Sequence, residues 1–228
     1  MEQTPLKAVA TGDIVASTDL PSEVRRRLPD KLRETYADLR RDFGDELPHD
    51  LAISSGDSWQ CFVEQPAMSL ACILRFWALL HARGITSRMA LAIDTVDFIS
   101  EGGLNESDGP AFRRSGRGLQ DLDDDRWFAC LPPTDAPTTI RLAAESIAEL
   151  VDHLLHDWTE AQARAVAGML RTFGSEESVT QKSIAEQWQP EPITRQTVNR
   201  HLKRAHWDRL ERTVTRFQQL FDPSSDHV

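Results

Sequence analysis

Lys7-Ala-Val-Ala-Thr-Gly-Asp-Ile-Val-Ala-Ser17 is a short, apolar, partly β-branched run broken only by Gly12-Asp13, and it reads as a buried strand. Its counterpart lies at Leu51 to Val63. There Ser55-Gly56-Asp57 has the composition of a tight turn, and Trp59, Cys61 and Val63 alternate after it. Two strands joined as a hairpin are expected. Between these stretches Val24, Leu28, Leu32, Tyr36, Leu39 and Phe43 recur at helical spacing up to Gly44, with Pro29 opening a second helical piece.

Working onward, Pro66 to Arg83 predicts a helix ended by Gly84. Arg88 to Phe98 predicts a strand with Met89, Leu91 and Ile93 on one face. A glycine-rich loop at 102–109 leads to Pro110, placed to start a helix that runs to about Leu122, and Arg126 to Leu131 reads as a last strand. The order β-α-β-β-α-β, then a further α and β, predicts an α+β chain whose first part is a ferredoxin-like split βαβ sheet. Pro132, Pro133 and Pro137 break the pattern. They divide the chain into a palm-like unit at 1–136 and an all-helical unit at 137–228.

Composition bounds the partners. Of 228 residues, 40% are apolar and 27% charged, which excludes a disordered or collagen-like chain. The formal charge is −10, which argues against a protein that coats nucleic acid over its whole surface. The cationic residues are gathered late: 194–216 hold seven basic groups against two acids. Cys61, Cys72 and Cys130 are well separated and odd in number, so neither a disulfide framework nor a cysteine zinc cluster is expected. No window has the length and apolarity of a bilayer span, and no signal peptide is apparent, so a cytoplasmic protein without membrane contact is expected.

The chemical signal in the first part is a pair of Gly-Asp steps, Gly12-Asp13 in the first strand and Gly56-Asp57 at the hairpin turn. In a split βαβ sheet the first strand lies beside that hairpin, so the two carboxylates would face one another. Neighbouring carboxylates both stay ionised when a cation lies between them. Hard oxygen donors of this kind suit Mg²⁺ or Mn²⁺ carrying a nucleotide phosphate. Gly12 and Gly56 would let backbone approach the phosphates. Against this stands the plainer reading of Gly-Asp as a turn dipeptide, with Asp57 bonded to its own hairpin. Asp108 precedes Pro110 as a candidate helix cap and anion site, and Arg113, Arg114 and Arg117 follow on that helix.

Residues 7–122 resemble the palm-type domain of class III nucleotidyl cyclases and diguanylate cyclases. The carrying motifs are Thr11-Gly12-Asp13-Ile14-Val15, Ser55-Gly56-Asp57-Ser58, the strand from Arg88 and Gly109 to Arg117. The resemblance implies metal aspartates at Asp13 and Asp57 and a phosphate-steadying arginine at Arg117. The sequence departs from it twice: Arg113 stands where the cyclases have an asparagine, and Ile53 where they have a purine-selecting lysine. Over nearly its whole length the chain is also similar to the SatD family. That resemblance is carried by Gly12 to Ser17, Gly56 to Gln60, Asp108 to Phe112 and Leu202-Lys203-Arg204-Ala205-His206-Trp207.

The second part begins with Ile140, Ala144, Ile147, Val151, Leu154 and Trp158 at alternating spacings of four and three. This is a helical seam for the chain's own core or for a homodimer. Ala161, Ala165, Met169 and Leu170 give a further helix, Thr180 to Trp188 another, and Gln189-Pro190-Glu191-Pro192 a turn. Thr194 would then cap a helix with Val198, Leu202 and Ala205 inward. Its outward residues Arg195, Gln196, Asn199, Arg200, Lys203 and Arg204 suit a recognition helix, with forked donors for base edges and cations for phosphates. A plain helical bundle with a solvated basic side is the structural alternative. Leu210, Val214, Phe217 and Phe221 describe a last helix for packing or dimer contact.

Two functions follow as expectations. The first is a DNA-binding regulator whose palm unit senses a nucleotide with Mg²⁺ or Mn²⁺. The second is an enzyme, a nucleotidyl cyclase-like catalyst acting on a nucleoside triphosphate. His153 and His156 lack a nearby third ligand for zinc, and Ser54, Ser55 and Ser58 lack a histidine partner for hydrolysis.

Overall fold

The computed structural model describes residues 4–175 and 178–222. The first strand, β1, runs over Lys7–Ile14, shorter than its apolar run because Ala16 takes a left-handed conformation (φ 52°) and turns the chain into a 3-10 turn. A short helix α1 (Ser22–Arg26) leads to α2 (Leu28–Phe43), which Pro29 opens as expected. The hairpin follows as β2 (Ala52–Ser54) and β3 (Ser58–Val63). Then come α3 (Pro66–His81), β4 (Ser87–Asp94), α4 (Pro110–Gln120) and β5 (Phe128–Leu131).

The five strands lie in the order β2-β3-β1-β4-β5, antiparallel throughout except for the parallel pair β4–β5. In the first four strands two βαβ units interleave, compatible with the ferredoxin-like expectation. Alternation along β1 sends Ala8, Ala10 and Ile14 into a core with α2 and α3. Val9 instead joins Ala52, Phe62, Leu104, Ala111 and Phe112 on the opposite face, under α4.

The expected end of the fourth strand moves. β4 stops at Asp94, not Phe98, because the Asp94 carboxylate accepts the Thr95 N–H (2.9 Å) and the Arg114 guanidinium (2.7 Å), which turns the chain off the sheet. The loop that follows folds back over the sheet, pairing Phe98 with Asp108 and burying Leu104.

The remaining helices are α5 (Thr138–Asp157), α6 (Glu160–Leu170), α7 (Gln181–Glu186), α8 (Arg195–Arg204) and α9 (Trp207–Phe221). The seam of α5 is spent on its own chain: Ala144, Val151 and Leu154 are buried, and Asp152 accepts the N–H groups of Trp127 (2.6 Å) and Phe128 (2.9 Å). Helix α7 ends two residues before the expected Trp188. The connection to α8 therefore takes 187–194, longer than the turn of three or four residues usual in a helix-turn-helix.

Helix α3 is the hub. It is buried at every position from Ser69 to Ala78, because α6 and α9 pack on the side that α2 and the sheet leave open. Sheet and C-terminal helices thus share one hydrophobic core that reaches from Ala8 to Phe217. The proposed boundary at 136 falls inside this shared packing. Cys61, Cys72 and Cys130 are free thiols within the fold. Burial pushes the Cys61 and Cys130 thiols up to about 12, so they remain protonated and unreactive.

Candidate functional site

Asp13 pairs across the sheet with Arg88, its register neighbour at the start of β4. The guanidinium grips it with two prongs, Nη2 to Oδ2 at 2.9 Å and Nε to Oδ1 at 3.3 Å. Both side chains are about a quarter exposed, at 26% and 28%. The hydrogen bond to Asp13 holds the Arg88 guanidinium above its usual range. The backbone beneath is fixed as well. The Ser87 hydroxyl donates to the Asp13 carbonyl (2.7 Å) and accepts the Trp59 indole N–H (3.0 Å), while the Trp77 indole donates to the Ser87 carbonyl (2.7 Å).

The hairpin tip needs left-handed backbone, which Ser55 (φ 55°) and Gly56 (φ 88°) supply. Asp57 then accepts the hydroxyl of Ser17 at 2.6 Å, tying the tip to the chain just after β1. Asp13 and Asp57 are therefore brought to the same end of the sheet. Gly56 has open space around it, whereas a Cβ on Gly12 would stand 2.4 Å from the Trp59 ring and 2.6 Å from the Arg88 carbonyl. The missing side chain of Gly12 makes room for Trp59, so that space is not free for a phosphate.

Arg117 stands exposed on the outer side of α4 and joins neither aspartate. Arg113 is held by Asp97 (3.3 Å) and Asp108 (2.7 Å). Asp108 does not cap α4. Gly109 occupies that position, and the Asp108 carboxylate accepts the Gly109 N–H (2.7 Å) while pairing with Arg113.

An Mg²⁺ or Mn²⁺ at Asp13 and Asp57 would have to share or displace the partners those carboxylates already have. Such an ion needs about six oxygen donors, yet both Asp13 oxygens serve Arg88 and one Asp57 oxygen serves Ser17. Among the described residues no three His, Cys, Asp or Glu side chains gather around a metal position. His153 and His156 each face an aspartate one turn away on α5.

The candidate recognition helix α8 is built as its spacing requires. The Thr194 side chain accepts the Thr197 N–H (3.2 Å), and Val198 and Leu202 are buried against the core. That anchoring turns Arg195, Gln196, Arg200, Lys203 and Arg204 to the surface, with Asn199 half-buried. Arg209, Arg212 and Arg216 on α9 are exposed too. None of these cations forms an ion pair with another described residue. His201 stacks on Trp188 (5.7 Å between centroids, 12° between planes). Burial, reinforced by Arg200 and Arg204, lowers its imidazole pKa.

Sequence reasoning missed Arg88 as the partner of Asp13. The signal was present only as a basic residue at the start of a strand, and it gains meaning once the β1–β4 register is known. Among the described residues no helix is long and apolar enough to cross a membrane.

No family model matches the chain, and no curated protein matches it. Among solved structures, the crystal structure of the guanylyl cyclase Cya2 is similar at a TM-score of 0.42 and 13% identity, over 56% of this chain and 75% of that one.

Proposed function

We propose that this chain is a DNA-binding protein that presents α8 to the major groove. The observation that carries the reading is the set of exposed cations on the outer side of α8, none of them paired with another described residue, on a chain with a net charge of −10. An acidic protein that keeps one capped, core-anchored helix basic concentrates its attraction for phosphate there. Arg195, Gln196 and Asn199 near the N-terminal end carry side chains that pair with base edges, and Arg200, Lys203 and Arg204 suit backbone phosphates. Fluorescence anisotropy against a pool of labelled duplexes, at two salt concentrations, tests this. Binding should weaken steeply with salt, and Arg200→Ala/Lys203→Ala should flatten the salt slope by about two for two lost phosphate contacts. If neither salt nor the substitutions alter binding, the reading is wrong.

A second reading is nucleotide binding at the sheet end, supported by the convergence of Asp13 and Asp57 there. It is proposed without a metal, since Arg88 already neutralises Asp13. A cyclase-like turnover has less support, because it needs both carboxylates free and Arg113 is committed to Asp97 and Asp108.

A further inference from the structure

Away from the sheet end, α2, α3, α6 and the connection between α7 and α8 enclose a cleft of about 840 Å³. Arg41, Arg75, Arg83, Arg164 and Arg171 reach it, against Asp38 and Asp42. Five cations against two anions leave an excess of three positive charges, in a protein whose overall balance is strongly negative. Each aspartate is already shared. Asp42 accepts from Arg75 (Nε, 2.8 Å) and from Arg171 (Nε, 3.0 Å), and Asp38 pairs with both Arg41 and Arg83.

Among the described residues Arg164 has no carboxylate partner. It donates to the carbonyls of Ala82 (3.1 Å) and Gln189 and lies over the Trp188 ring, 5.5 Å from its centroid. Arg75 is held deep, with its side chain 7% exposed. Burial, and beyond it the nearby Arg171 and Arg41, lower its pKa against the opposing pull of Asp42. Surplus like charge gathered in a recess is costly when uncompensated. A guanidinium fork is matched by the oxygens of a phosphate, and the volume falls within the range of small-molecule sites.

We propose that this cleft binds a small phosphate polyanion, such as an inorganic pyrophosphate or the polyphosphate of a nucleotide. The site is distinct from the Asp13–Asp57 end of the sheet, and no exposed cation of α8 lines it. It also touches α8 indirectly: Arg164 holds Gln189 and covers Trp188, and Trp188 stacks on His201 of α8.

Isothermal titration of the full chain with inorganic pyrophosphate and, separately, with a nucleoside triphosphate, both without added metal, tests the proposal. Both ligands should bind. Arg164→Gln and Arg171→Gln should each weaken binding about tenfold or more, while Arg26→Gln, an exposed arginine of α1 outside the cleft lining, leaves it unchanged. Equal affinity for the two ligands identifies the phosphates as the feature read; a clear gain with the triphosphate identifies a nucleotide. Arg83→Gln answers the same question if thermal unfolding shows that one of the other variants has not folded. The proposal is overturned if neither ligand binds, or if the arginine variants bind as wild type. It is equally overturned if Asp13→Asn abolishes binding, or if the arginine variants weaken only duplex DNA.

Discussion

Asp13 and Asp94 are two aspartates on adjacent strands, each answered by an arginine, and their surroundings give them different work. Asp13 is part-exposed and its pair with Arg88 is open to water, so that pair adds about 1 kcal/mol at most. Asp94 is 7% exposed and accepts from the Thr95 N–H, the Arg114 guanidinium and the Thr134 hydroxyl (2.8 Å), which ties together β4, α4 and the chain after β5. Burial pushes its carboxyl up, but those donors together outweigh burial and hold it below the usual carboxylate range. A depressed folded pKa stabilises the protein above the unfolded value of about 3.9 and loses that contribution as pH falls through the folded value. Asp94→Asn should therefore cost about 1–3 kcal/mol near pH 7. The gap in Tm between wild type and variant should hold down to about pH 5 and shrink below about pH 4. A gap that stays constant to pH 2 would show that the charge is irrelevant.

At the scale of elements, α8 shows what its sequence could and could not reveal. Thr194 as cap, Val198 and Leu202 as anchors and the basic outward side were all readable from spacing, and the helix begins and ends accordingly. The cap is local, so its removal should be local too. Thr194→Ala should lower stability by about 1 kcal/mol, since one backbone N–H loses its acceptor. Urea unfolding measures this, and Thr194→Asp should restore the loss; an unchanged midpoint in the alanine variant would mean that the Thr194 hydroxyl contributes nothing. The succession of strands and helices along the chain was legible for the same local reasons, in the alternation of β3 and the proline that opens α3. Strand ends were not. β4 was expected to reach Phe98, but the bonds that turn it at Asp94 come from Arg114 and Thr134, twenty and forty residues on. The arginine cleft was invisible for a stronger form of that reason: its cations lie between Arg41 and Arg171 and share no spacing that sequence could register.

Across the whole molecule the decisive feature is that α3 is buried on every side from Ser69 to Ala78, with Arg75 as its one charged residue there. A helix lying on a sheet usually keeps one polar face for water. Here Leu70, Ile73, Leu74, Phe76, Trp77 and Leu80 are all fully buried, and the helices after 136 supply the cover that the sheet does not. Each fully buried leucine or phenylalanine is worth roughly 1.5–3 kcal/mol, so the surface between the two parts is a large share of total stability. Directional bonds cross it as well. His81 Nε2 lies 2.9 Å from the Trp158 carbonyl, the Arg75 guanidinium donates to the Ala167 carbonyl, and Arg171 reaches Asp42. The sheet and the helices after 136 should therefore unfold together. Chemical unfolding followed by far-ultraviolet circular dichroism reports chiefly the helices, and pulse labelling of the buried thiols Cys61 in β3 and Cys130 in β5 reports the sheet. The two curves should superimpose with a common midpoint and slope. Trp158→Ala, which removes an indole packed on Trp77 and its bond to the Ala205 carbonyl (3.1 Å), should shift both curves by the same amount, about 3–5 kcal/mol in all. Separate midpoints, or a shift confined to the circular dichroism curve, would instead show that the helical part is a module with its own stability, joined to the sheet by contact alone.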